Sequence, residues 1–257
     1  MSTLAGKTIV ITGGSRGIGQ AIGERCKKAG ATIFTDIDVT DANTIKSSVE
    51  KAVKQYGGID ILVNNISTFC FTDTLNTPQD KFDLLFSSNV RATFLMSQAC
   101  LPYLQKTSNP HIITLSPPLD MNAKWFKSHL VFTMSKYGMS MCTLGMAAEF
   151  REAGVAVNSL WPLTTIATST IQDHCAPEVY AASRWPTIMA DAAYEIMQKN
   201  ARECTGNFFI DEELLRESGV TDFTHYAVDA KVPLMQDLFI PEKSIKGESA
   251  ELTWRKL

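Results

Sequence analysis

Residues 7–31 read KTIVITGGSRGIGQAIGERCKKAGA, Lys7 to Ala31, and this stretch decides the fold. Thr8 to Ile11 is a β-branched apolar run of the kind that forms a strand buried on both faces. The turn Thr12-Gly13-Gly14-Ser15-Arg16-Gly17-Ile18-Gly19 follows at once. Beyond it Ile18, Ala21, Ile22 and Cys26 recur at helical spacing until Gly30 closes the helix. Strand, glycine turn and helix therefore arrive in the order a dinucleotide site requires. Glycines let backbone N–H groups approach a pyrophosphate without a Cβ in the way, and the positive end of the helix dipole faces the anion. The alternative is an ordinary glycine-rich turn, which the strand-to-helix context disfavours.

Around this core the composition is that of one globular α/β domain. The 257 residues are 45% hydrophobic and 20% charged, too few for two full domains. A net charge of −3 and a pI near 5.8 give no electrostatic footprint for nucleic acid or an anionic membrane. No run reaches the roughly 18 apolar residues of a spanning helix, and Met1 to Gly6 does not read as a signal peptide. The six cysteines form no C-x-x-C pair and the four histidines have no mutual ligand spacing, so no metal site is expected. Scattered among apolar neighbours, the thiols read as reduced, which places the chain in the cytoplasm. The final Arg255-Lys256-Leu257 is only loosely similar to a peroxisomal address, the alternative location.

The spacing Thr-Gly-x-x-x-Gly-x-Gly resembles that of the short-chain dehydrogenase/reductase family. The resemblance extends through SPPL (116–119), WFK (125–127), SKYGMSM (135–141), LGMAAEF (144–150), NSLWP (158–162) and GNFFIDE (206–212). That set resembles a hydroxysteroid dehydrogenase-like group of the family, some of whose members carry a sterol-carrier-like domain after the reductase domain. The resemblance implies a single Rossmann-like, doubly wound parallel sheet over residues 1–240, a polar tail over 241–257, and a homodimer or homotetramer formed through two long helices, 89–104 and 132–150. It implies hydride exchange between a nicotinamide dinucleotide and a small carbonyl or alcohol substrate, at most lipid-related.

The family's residues carry over one at a time. Gly13, Ser15, Arg16, Gly17, Ile18 and Gly19 fall on the phosphate loop. Asp38 falls in the Asp-Val-Thr-Asp segment, and Asn65 in an Asn-Asn-x-x segment beside the adenosine half. Pro162 and Thr165 match the region that holds the nicotinamide carboxamide. Asn89 matches the helix asparagine of the proton relay, Ser116 the hydroxyl on the substrate oxygen, and Lys136 the group on the ribose. Arg16 favours NADP(H), because a guanidinium matches a 2′-phosphate; Asp36, about 20 residues past the loop, is placed as a carboxylate that favours NAD(H).

Three departures matter. The family's Tyr-x-x-x-Lys reads Phe132-x-x-x-Lys136, and a phenyl ring has no proton to give. Whether the replacement is natural or engineered, the sequence leaves open. Tyr137 lies about 100° further round the helix and His129 sits just before it; each is a weak substitute, and Tyr137 reads better as a packing residue. Second, Ile66 and Ser67 replace a small pair beside the cofactor, so that bulk crowds the site unless a loop has repacked. Third, residues 31–41 are too short by one βα unit of about 30 residues. Either the edge strand and its helix are absent and the sheet begins in the order 2-1, or those residues of the protein lie outside this chain near 35–36, which the length of the family's loop favours. An impaired oxidoreductase is the expectation, with a catalytically silent dinucleotide-binding sensor or scaffold as the alternative.

Overall fold

The computed structural model describes residues 3–241. The tail beyond 241, with Arg255-Lys256-Leu257, lies outside the described residues. The strand expected at Thr8–Ile11 forms there as β1, with all four residues buried. It is joined by β2 (Thr32–Phe34), β3 (Ile61–Asn64), β4 (His111–Thr114), β5 (Ala156–Trp161) and β6 (Phe208–Ile210). All neighbours pair in parallel, in the order β2-β1-β3-β4-β5-β6. The helices are α1 (Gly17–Lys28), α2 (Ala42–Tyr56), α3 (Gln79–Leu85), α4 (Ala92–Leu104), α5 (Leu130–Glu149), α6 (Ser169–His174), α7 (Pro177–Ala181), α8 (Thr187–Gln198) and α9 (Asp211–Glu217).

The period-2 alternation of each strand builds two layers. Ile9, Ile11, Ile61, Val63 and Ile113 go to one face, where Ile22 and Cys26 of α1, Ile188 and Ile196 of α8, and Leu214 of α9 cover them. Val10, Leu62, Ile112 and Val157 go to the other, beneath Ile45 and Val49 of α2, Met96 and Cys100 of α4, and Met146 of α5. This is the doubly wound arrangement, buried on both faces as the continuous apolar runs require. Among the described residues no helix is long and apolar enough to cross a membrane.

In this chain β2 is the edge strand, and residues 35–41 alone lead from it to α2. Asp41 ends the passage by capping α2. Its side chain accepts from the amides of Asn43 and Thr44, and the Thr44 hydroxyl returns the contact to the Asp41 amide. Gly57, at φ 84°, closes the same helix in the left-handed region.

A third apolar cluster roofs the carboxyl end of the sheet. It brings together Leu85, Val131, Phe132, Tyr137, Trp161, Ile210, Phe239 and Ile240. In open α/β sheets ligands enter at this end, outside the ends of the strands.

Candidate active site

The glycine turn crosses from β1 to α1 with Gly13 at φ 65° and Gly17 at φ 57°, where a side chain would be strained. A Cβ on Gly19 would stand 2.5 Å from the Gly13 carbonyl oxygen, so this glycine serves the close approach of helix to turn. The turn is tied to the segment after β3. Thr12 Oγ1 accepts the amides of Asn65 at 3.0 Å and Ile66 at 3.1 Å, and Asn65 Nδ2 donates to the carbonyls of Thr12 and Gly13. The first amides of α1 have no partner within the helix and open towards the same space.

That space is a cavity of about 410 Å³. Gly13, Arg16, Gly17 and Ile18 line one end, Asn65 and Ile66 its flank, and Lys136, Phe132, Trp161, Pro162, Asp237 and Leu238 the other end. Phe69, Phe71 and the segment 168–171 complete the walls. Eight of the expected residues thus meet in one place: Gly13, Arg16, Gly17, Ile18, Asn65, Phe132, Lys136 and Pro162. Phe132 and Lys136 face it together because one helical turn separates i from i+4.

Lys136 is buried, its Nζ donating to the Leu115 carbonyl at 2.6 Å and lying 4.8 Å from the centre of the Trp161 ring. Burial pushes its ammonium down to about 7, against the opposing pull of the Asp237 carboxylate. Asp237 is pushed up to about 7, first by burial and then by the neighbouring Asp211 carboxyl, while the Leu238 amide and Lys136 act against the rise. Phe132 packs edge-on to Phe71 at 5.0 Å between ring centres and is 6.1 Å from Phe239. No hydroxyl stands where the family places one.

The remaining expected residues lie elsewhere, each for a visible reason. Ser116 is fully buried and its Oγ is 2.8 Å from Ser159 Oγ, which in turn donates to Thr143 of α5. Its hydroxyl therefore faces the helical layer and not the cavity, which Leu115 lines instead. Asn89 is also fully buried, and its side chain is spent on structure. Oδ1 accepts the Thr68 amide at 2.7 Å, and Nδ2 donates to the Thr68 carbonyl and to Ser135 Oγ, both at 2.9 Å. Thr165 is turned towards Ser183 Oγ at 2.8 Å. Ser15 is exposed on the turn and does not line this cavity. Asp38 is an exposed residue whose carboxylate accepts the Thr40 amide at 2.9 Å; that bond holds its carboxyl below the usual range. It serves the turn that leads to the Asp41 cap.

The two substitutes for the missing tyrosine also point elsewhere. Tyr137 donates to the Asp120 carbonyl at 2.7 Å, and burial pushes its phenol up to about 12. His129 packs among Phe71, Phe132 and Phe239 with Nδ1 3.0 Å from Thr133 Oγ1, and burial pushes its pKa down. Asp237, which does line the cavity, carried no signal in the sequence. It sits 27 residues past the last strand and beyond α9, amid turn-forming residues with no periodicity.

Known proteins resemble the chain over most of its length. A family model described as enoyl-(acyl carrier protein) reductase matches residues 4–201. Hydroxysteroid dehydrogenase-like protein 2 from Rattus norvegicus is 45% identical over 271 aligned positions, covering 93% of this chain and 51% of that protein. The chain thus spans about half the length of this relative. Since 93% of 257 residues is about 240, about 30 residues of the relative have no counterpart here. Among solved structures, a short chain dehydrogenase from Mycobacterium thermoresistibile is 37% identical, with a TM-score of 0.85 over 93% of this chain and 96% of that one. A short chain dehydrogenase from Burkholderia cenocepacia, solved in complex with NADP, shares the fold with a TM-score of 0.70 at 22% identity, over 81% of this chain and 97% of that one.

Proposed function

The chain belongs to the short-chain dehydrogenase/reductase family, a family of oxidoreductases, and from that premise we propose that it binds NADP(H) along the cavity and exchanges hydride with an apolar carbonyl or alcohol. The observation that carries this reading is the single cavity joining the glycine turn to Lys136. The site fits a dinucleotide: Gly13 and Gly17, both at positive φ, turn the chain so that the start of α1 meets one end of the cavity, and Lys136 lies at the other. When bound, the nicotinamide ring supplies or accepts the hydride. The amides at the start of α1 would hold the pyrophosphate and Lys136 Nζ would donate to the ribose hydroxyls, while the aromatic wall would exclude water.

The phosphate preference follows from two charges. Arg16 is exposed at the mouth, with Nη1 donating to Ser169 Oγ at 3.0 Å, an exchangeable contact that leaves the guanidinium free to take a 2′-phosphate. Asp36, the carboxylate that would hold a bare ribose, is ion-paired with Lys51. NAD(H) is the second choice. The substrate class follows from Phe69, Phe71, Phe132, Trp161 and Leu238 at the nicotinamide end, which suit an apolar, lipid-related molecule. Six cysteines scattered without a C-x-x-C pair favour a reducing compartment such as the cytoplasm. Exposed Phe94 of α4 and Met134, Met141 and Leu144 of α5 form an apolar face suited to a homodimer or homotetramer.

Activity is low, because Phe132 removes a group whose loss typically costs about 10²- to 10⁴-fold. Fluorescence titration with NADPH and NADH tests the cofactor, with micromolar binding and NADPH the tighter. Phe132→Tyr tests the reaction, with an expected gain of about 10²-fold or more in NADPH-dependent carbonyl reduction. Binding without any turnover in either protein would favour a silent dinucleotide-binding scaffold, and failure to bind either cofactor would end the oxidoreductase reading.

A further inference from the structure

We propose that Asp237 is the proton donor and acceptor of this site, standing in for the hydroxyl that Phe132 lacks. The inference rests on the oxidoreductase reading above. Three observations carry it. Asp237 lines the cavity together with Phe132, Lys136, Trp161 and Leu238, at the end away from the glycine turn. Its Oδ1 accepts the Leu238 amide at 2.6 Å, whereas Oδ2 makes no hydrogen bond among the described residues and is left for a ligand.

The segment that carries it is also held in place at a cost. The Asp237 amide donates to the Leu163 carbonyl at 3.1 Å, directly after β5. Trp161 Nε1 donates to the Leu238 carbonyl at 2.8 Å. Phe239 has φ 64°, the one positive φ outside glycine among the described residues. A bulky side chain in the left-handed region is strained and survives only where its surroundings over-determine it. Here the rings of Trp125, His129, Phe132, Tyr137 and Trp161 enclose it. Strain of this kind concentrates at functional sites, and the residues it holds against the cavity are Asp237 and Leu238.

The groups that set the proton affinity of Asp237 are the Leu238 amide beside it, Asp211 at the start of α9 and Lys136 of α5, and its own charge in turn raises the thiol of Cys175, just after α6. His174, the last residue of α6, lines the same cavity. Burial and the Asp211 carboxyl keep a proton on Asp237 near neutrality, and the Lys136 ammonium steadies the carboxylate left behind. In reduction the carboxyl O–H bond breaks and its proton passes to the carbonyl oxygen while the hydride of NADPH forms the new C–H bond. The products are the alcohol, NADP⁺ and the Asp237 carboxylate, which regains its proton from solvent. Oxidation of an alcohol runs the same steps in reverse.

The test compares the full chain, Asp237→Asn, Phe132→Tyr and the double variant, each with NADPH and a panel of apolar aldehydes and ketones. Asp237→Asn is expected to lower turnover by about 10²-fold or more with NADPH affinity unchanged, and to abolish the fall in rate above about pH 7. Adding Phe132→Tyr to it restores turnover, which shows that the variant is folded. Carboxyl-carbon NMR of the cofactor-free protein is expected to show Asp237 titrating near 7. Turnover and pH profile unchanged in Asp237→Asn, titration of Asp237 in the ordinary carboxylate range, or activity confined to Phe132→Tyr would each overturn the proposal while leaving the oxidoreductase reading intact. No turnover in any of the four would overturn both.

Discussion

Ile66 shows how one side chain can govern a binding site without any chemistry of its own. A Cβ on Gly13 would meet its Cγ1 at 2.8 Å, so the isoleucine already occupies the face of the turn that the glycine leaves open. It lines the cavity along the path from the phosphate end to Lys136. Ile66→Ala widens that path, and NADPH is expected to bind up to about tenfold tighter, equivalent to about 1.4 kcal/mol, in a fluorescence titration. An unchanged Kd would show that the neighbouring loop, and not the side chain, sets the width. At this scale residue identity was readable from the chain: the missing phenol at Phe132 and the bulk at Ile66 both follow from side-chain chemistry. Orientation was not. Ser116 and Leu115 are neighbours on β4's extension, and which of them faces the cavity depends on strand parity and on the Ser159 and Thr143 hydroxyls waiting on the helical side.

Between α3 and α4 the chain forms a π-helical stretch, Phe86–Arg91. Wide turns of this kind recur at functional sites, and this one carries Asn89 inward. Its amide clamps the loop after β3, through both backbone groups of Thr68, to Ser135 on α5, one residue before Lys136. Asn89 is therefore a positioning residue for the cavity wall. Asn89→Ala leaves the Thr68 N–H and C=O and the Ser135 hydroxyl without that partner, and urea unfolding is expected to show a loss of about 1–3 kcal/mol. A stability within about 0.5 kcal/mol of the wild type would mean that water replaces the amide in full. Helix and strand extents were legible around the glycine turn: the apolar run at 8–11 is β1, and the helical spacing from Ile18 to Cys26 falls within α1. The π-helical stretch was not, since a widened turn leaves no mark in hydrophobic spacing.

For the molecule as a whole, the exposed apolar face of α4 and α5 and the shortened edge of the sheet are the features that reach beyond one site. Phe94, Met141 and Leu144 are 47%, 56% and 53% exposed on neighbouring helices, and on the subunit proposal a second copy covers them. Light scattering is expected to report a dimer or tetramer, and the pair Met141→Glu with Leu144→Glu to reduce it to a monomer. A monomeric wild type would remove the subunit proposal. The other feature is the edge strand β2, which in this chain meets α2 through residues 35–41 alone. The sheet tolerates this because β2 needs a partner on one side only, and β1 supplies it.

The class of fold, the dinucleotide turn and the loss of the phenol are properties of local pattern: a buried apolar run, glycines at fixed offsets, a ring without a hydroxyl. Each is set by residues within a few positions of one another, so one-dimensional spacing carries them. Where Ser116, Asn89 and Thr165 point, and that Asp237 meets Lys136, depend on contacts between residues far apart in the chain. Asp237 lies about 100 residues from Lys136, and only the closing of β5 and the ring-enclosed turn at Phe239 bring its carboxyl to the cavity. Burial and neighbouring charge, which decide what a carboxyl or an ammonium can do at neutral pH, exist only once the chain has folded.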